Sequence, residues 1–204
     1  MKSYIQERNN NRFTVNTVKV VIKDKVLNIS DKKIKKALTL ALNKVPKHLL
    51  FNLDIIYIGQ FSFLKKRKLQ ALYKDSSVWM TNEYTKPYDM VDDLVHEVAH
   101  SVEETHESLI YGDKKIEKEF IEKRKVLWQI LRDQDFKVEL HNFLNPEYQQ
   151  DLDMFFYNEI GYPMLSMLSN QIFYSPYAAT SLREYFANGF EAFFMKEEVH
   201  RLKK

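Results

Sequence analysis

The segment His96-Glu97-Val98-Ala99-His100 sets two imidazoles four residues apart, with a carboxylate next to the first. On a helix, such histidines lie about 40° apart around the axis and one turn along it, so both rings can reach one metal ion. Glu97, turned by about 100° from His96, would stand beside that ion and not on it. From there a carboxylate can take a proton from zinc-bound water as the water attacks a carbonyl, which is the division of labour in the H-E-x-x-H pattern. The expected chemistry is zinc-dependent hydrolysis of peptide bonds, with a peptide or protein as substrate.

A catalytic zinc takes a third protein ligand and keeps one position open. The chain has no Cys, so that ligand must be a histidine or a carboxylate. His106, ten residues after His96, fits the outer frame of the pattern H-E-x-x-H-x-x-G-x-x-H. That pattern needs Gly to leave the helix, and Glu103 stands there instead, so a continuing helix would turn His106 away. Glu184 is the second candidate. It lies in an aromatic and apolar segment, Ser181 to Phe193, where a carboxylate becomes half-buried and needs a cation. A metzincin-like peptidase using His106, with Met164-Leu165-Ser166-Met167 as a Met-turn, is one alternative. A metal-binding interaction module without turnover is the other.

The elements that must position these residues follow from periodicity. Pro87 and Asp89 precede a helix whose stripe runs through Met90, Leu94, Val95, Val98, Ala99 and Val102, so the histidines fall inside it. Upstream, Val15 to Ile22 reads as a strand, with a turn at Lys23-Asp24-Lys25 and a continuation over Val26 to Ile29. Ser30 can cap a helix carrying Ile34, Leu38, Ala41, Leu42 and Val45 and stopping at Pro46. Leu53 to Ile58 and Ser77 to Thr81 read as further strands, separated by the solvated basic stretch Lys65-Lys66-Arg67-Lys68. Downstream, Ile116 to Leu131 and Ser181 to Phe194 read as amphipathic helices. The fold class expected is α+β: a single zincin-like domain over 13–204, with a small N-terminal mixed sheet and a mainly helical C-terminal half. Residues 1–12, polar and Asn-rich, read as a flexible tail.

Composition excludes several classes. Thirty-one basic residues against 28 acidic ones give a net charge of +3, too small to imply nucleic acid. No apolar run reaches the length of a membrane span, and the N-terminus has no apolar signal core. The expectation is a protein without signal peptide or membrane partner, cytoplasmic or delivered by a non-classical route.

In order along the chain, Ala71 to Met80, His96 to Glu104 (HEVAHSVEE), Tyr177 and the REYFANGFEAFF run from Arg183 resemble the anthrax lethal factor-like metallopeptidases, a gluzincin family that includes the Pro-Pro endopeptidases. The resemblance covers Val15 to the end, thinly from about 107 to 170. It implies that Glu184 is the third zinc ligand and that Tyr177, seven residues earlier, contacts the developing oxyanion. It implies also that substrate is held as an added strand on a sheet edge before the active helix, here at Val78, Trp79 and Met80. Two departures stand out. Asn188 occupies a position where relatives often carry a second Glu, and the stretch from about 105 to 170 is long enough for a helical insertion, a lid or a docking surface for a protein partner.

Overall fold

The computed structural model describes residues 11–195. It is an α+β protein with a small mixed five-stranded sheet and a mainly helical remainder. The described residues fall into two compact units that divide after Thr105 and again after Ala192.

In the first unit, β1 (Arg12–Val15) and β2 (Val18–Ile22) form a hairpin whose two-residue loop carries Asn16 at φ 53°. Asn tolerates left-handed backbone through its short polar side chain, so the chain reverses here and not at Lys23-Asp24-Lys25. The strand expected over Val26 to Ile29 does not form. Lys23 N–H donates to the Ile58 carbonyl at 2.7 Å, and the Asn82 side chain donates to the Lys25 carbonyl at 2.9 Å. These bonds lead the chain off the sheet, with Val26 and Ile29 buried as irregular anchors around an exposed Leu27. The expected tail is shorter by two residues at least, since Asn11 accepts the Ile22 N–H and Arg12 opens β1; residues 1–10 lie outside the described residues.

Helix α1 (Asp31–Lys44) has Ser30 at its N-cap and buries Ile34, Ala37, Leu38, Ala41 and Leu42 along one stripe. It carries the chain across to β3 (Ile55–Gly59), parallel to β2, the crossover that a parallel pair requires. The short α2 (Ser62–Arg67) takes up most of the basic stretch, which is exposed, and closes on Lys68 in the left-handed region at φ 56°.

Strands β4 (Ala71–Lys74) and β5 (Ser77–Thr81) form a second hairpin. Its loop, Asp75 at φ 52° and Ser76 at φ 53°, has the two consecutive left-handed residues of a type I′ turn, whose twist matches that of the strands. The sheet order is β1-β2-β3-β5-β4. This corrects the edge-strand expectation for Val78, Trp79 and Met80. They pair with Ile56, Tyr57 and Ile58 on one side and with Tyr73, Leu72 and Ala71 on the other, so no added strand can pair with β5. The edge is β4. Alternate positions Val18, Val20, Ile22, Ile56, Ile58, Val78 and Met80 are buried, giving the sheet one apolar face. Trp79 points to the other face, stacked on Tyr57 at 4.3 Å and edge-on to Phe61 at 5.0 Å.

Helix α3 (Pro87–Tyr111) opens on a proline, whose missing N–H costs nothing in the first turn, and buries Met90, Val91, Leu94, Val95, Val98, Ala99 and Val102. It kinks at His106, with φ −123° and ψ 18°. Just before the kink, the Thr105 hydroxyl donates to the carbonyls of Ser101 and Val102 at 3.2 Å each, the back-bonding that bends helices.

The second unit packs α4 (Lys115–Asp133), α5 (Leu140–Leu144), α6 (Gln150–Phe155), a π turn (Phe156–Ile160), α7 (Tyr162–Ser169), a 3-10 turn (Pro176–Ala179) and most of α8 (Leu182–Met195). Phe120, Leu127, Phe143, Phe156, Leu165 and Ala178 lie in its core cluster; truncating such a phenylalanine to alanine costs about 3–5 kcal/mol. Arg124 is fully buried among them. Its guanidinium donates to the carbonyls of Asn145 at 2.6 Å and Asn142 at 2.7 Å, under the rings of Phe120 and Phe143, and burial pulls its pKa down to about 10. Phe120 to Leu165, within the stretch from about 105 to 170, share this core with Ala178 and Ala179 beside Tyr177.

Candidate metal centre

In the first unit, α3 presents His96 and His100 with ring centroids 5.2 Å apart and planes at 79°. One turn of helix separates them, as the four-residue spacing requires. Glu97 is 8 % exposed, and its carboxylate accepts the backbone N–H of Tyr73 at 2.6 Å. That bond follows from the hairpin. With Lys74 and Ser77 closing a two-residue loop, the amides of Leu72 and Lys74 face β5, and those of Ala71 and Tyr73 face outward off the edge. The Tyr73 amide therefore meets the helix.

A second carboxylate seven residues on holds the same residue by its side chain. The Tyr73 hydroxyl donates to Glu104, and Asn52 donates to the Tyr73 oxygen at 2.7 Å and to Glu104 at 3.0 Å. Burial, then the hydrogen bond and negative charge of Glu104, push the Tyr73 phenol up to about 12. His100 Nδ1 lies 3.2 Å from Glu103 Oε2. Nearer the start of α3, Tyr84 donates to Asp93 at 2.6 Å, and burial together with that carboxylate holds its phenol well above the usual range.

In the second unit, Ser181 precedes α8 and its hydroxyl accepts the Glu184 N–H at 3.2 Å, half of the S-x-x-E capping box that the sequence spells. This places Glu184 in the first turn of the helix. Tyr177 sits on the 3-10 turn, whose N-cap Ser175 accepts the Ala178 N–H. Asn188 joins the two. It accepts the Ser175 hydroxyl at 2.6 Å and donates to the Glu184 carbonyl at 2.9 Å, so its amide ties the Tyr177 turn to the Glu184 helix.

His96, His100 and Glu184 each offer one ligand atom, and these atoms lie within 4.8 Å of one another. Among the described residues this is the only such group, and His106 is not part of it. Met164 and Met167 are 43 % and 80 % exposed on α7, which does not suit a Met-turn packed beneath a metal. Two imidazoles and one carboxylate without thiolate form the donor set of catalytic zinc sites that hold an open position.

Sequence reasoning missed Tyr73, Glu103 and the tie through Asn188. A tyrosine in a strand carries no local signal of a contact across 24 residues, and an asparagine in a helix none of a tie between two turns, whereas Glu103 stands three residues after His100, a spacing the sequence does show.

No protein-family model matches the chain, and no curated protein or solved structure matches it.

Proposed function

We propose that the chain is a zinc-dependent endopeptidase of the lethal factor-like, gluzincin type. The observation that carries this reading is the grouping of one ligand atom each from His96, His100 and Glu184 within 4.8 Å, because the family resemblance implies Glu184, some 80 residues from the histidines, as the third ligand. His96, His100 and Glu184 would hold the ion. When bound, zinc supplies Lewis-acid polarisation of the scissile carbonyl and lowers the pKa of a bound water to about 7.

The protein's own residues do the rest. Glu97 takes the proton of the attacking water and passes it to the leaving amine. Tyr73 N–H holds that carboxylate in one orientation, so the base needs little reorganisation at the moment of reaction. Tyr177 donates its phenol hydrogen to the oxygen that becomes negative in the tetrahedral intermediate. The substrate strand adds to the β4 edge through the outward N–H and C=O of Ala71, the Tyr73 N–H being taken by Glu97, in place of the interior strand at Val78, Trp79 and Met80. Strand addition reads backbone, which suits an endopeptidase acting within extended segments. No residue identified here selects proline.

Zinc analysis of the purified protein, combined with cleavage of a peptide library and Glu97→Gln as control, tests this. One zinc per chain with cleavage that Glu97→Gln abolishes is expected. Zinc without cleavage by the wild type would leave a metal-binding interaction module.

A further inference from the structure

We propose that Glu103 is a positioning residue that fixes the tautomer of His100, so that Nδ1 carries the hydrogen and Nε2 presents its lone pair to the metal. The inference rests on the zinc reading for its purpose but not for its geometry. Glu103 lies one turn beyond His100 on α3, only 4 % exposed, with Oε2 3.2 Å from His100 Nδ1; His100 itself is 8 % exposed.

A neutral imidazole has one donor and one acceptor nitrogen, and an ionised carboxylate only accepts. Their contact therefore places the hydrogen on Nδ1. The remaining lone pair is on Nε2, directed away from Glu103, and the ring can no longer rotate without breaking the bond. Ligating histidines are held in this way by a carboxylate on the other ring nitrogen, which also raises the basicity of the ligating one.

A charged pair on a helix surface is ordinary at this spacing, but such pairs are solvated. A carboxylate as buried as Glu103 is not, and it must recover its lost hydration through fixed donors. The same residue stands where the ten-residue histidine frame would require Gly. Its retention of helical backbone through Thr105 is consistent with that side chain serving His100, while the kink comes only at His106.

Two measurements test the proposal. Long-range 15N–1H correlation spectra of metal-free wild-type protein at neutral pH should show His100 as the Nδ1–H tautomer; an Nε2–H tautomer overturns the proposal, whether or not the protein binds zinc. In chelator competition, Glu103→Ala should weaken zinc binding by about 10–100-fold. Glu103→Gln, whose amide oxygen can still accept from Nδ1, should lose less than Glu103→Ala. Zinc affinity within twofold of wild type in a folded Glu103→Ala protein also overturns it. Failure of the wild type to take up zinc would instead count against the metal site itself, and the tautomer spectrum would still decide the role of Glu103.

Discussion

The backbone N–H of Tyr73 donates to the carboxylate of Glu97 at 2.6 Å, linking the exposed edge of the sheet to the residue proposed as the catalytic base. Both ends of that contact come from the first unit. The base is therefore oriented by the strand on which a substrate would lie.

Replacing Glu97 by Gln keeps an oxygen for the Tyr73 N–H and removes the basic group. Zinc content should stay at the wild-type level while peptide cleavage falls by about 10²–10⁴-fold, the range for loss of a general base. Single-turnover cleavage assays on zinc-loaded protein measure it.

Tyr177→Phe deletes one hydroxyl and leaves the ring. Loss of one oxyanion donor lowers kcat by about 10²–10³-fold with little change in KM, and steady-state kinetics on a single peptide separate the two parameters.

The Asn188→Ala variant breaks the tie between the Tyr177 turn and α8. The Ser175 hydroxyl loses its acceptor and the Glu184 carbonyl one of its donors, which costs about 1–3 kcal/mol of stability. Urea unfolding should show this, and Asn188→Asp, which still accepts from Ser175, should lose less than Asn188→Ala.

The phenol of Tyr73 titrates above its usual value, at about 12, because of its burial and of Glu104. A folded pKa above the unfolded one contributes stability that is fully present below about pH 10 and lost as pH rises through about 12. Tyr73→Phe should remove that high-pH component from the difference in tyrosinate absorbance between the two proteins, and should flatten the alkaline fall in thermal stability.

Much of the site was legible because it is local. HEVAH and the stripe of α3 obey one period, and the capping sequence from Ser181 to Glu184 fixes where α8 begins. The sheet was read less well. Asp75 and Ser76 turn without a glycine, so β4 ahead of them went unread although the strand at Ser77 to Thr81 was legible. The run Val78-Trp79-Met80 looks suited to bind a substrate, yet continuous apolar character marks a strand buried between neighbours. The half-polar β4 is the edge. The kink at His106 had no Pro or Gly to announce it, and it arises from Thr105 bonding back to its own helix.

Zinc stoichiometry in two alanine variants is the most direct test of the metal centre. Glu184→Ala should lose zinc on dialysis against a weak chelator, while His106→Ala retains one ion per chain. Retention by Glu184→Ala with loss by His106→Ala would contradict the proposed ligand set and return the third position to His106.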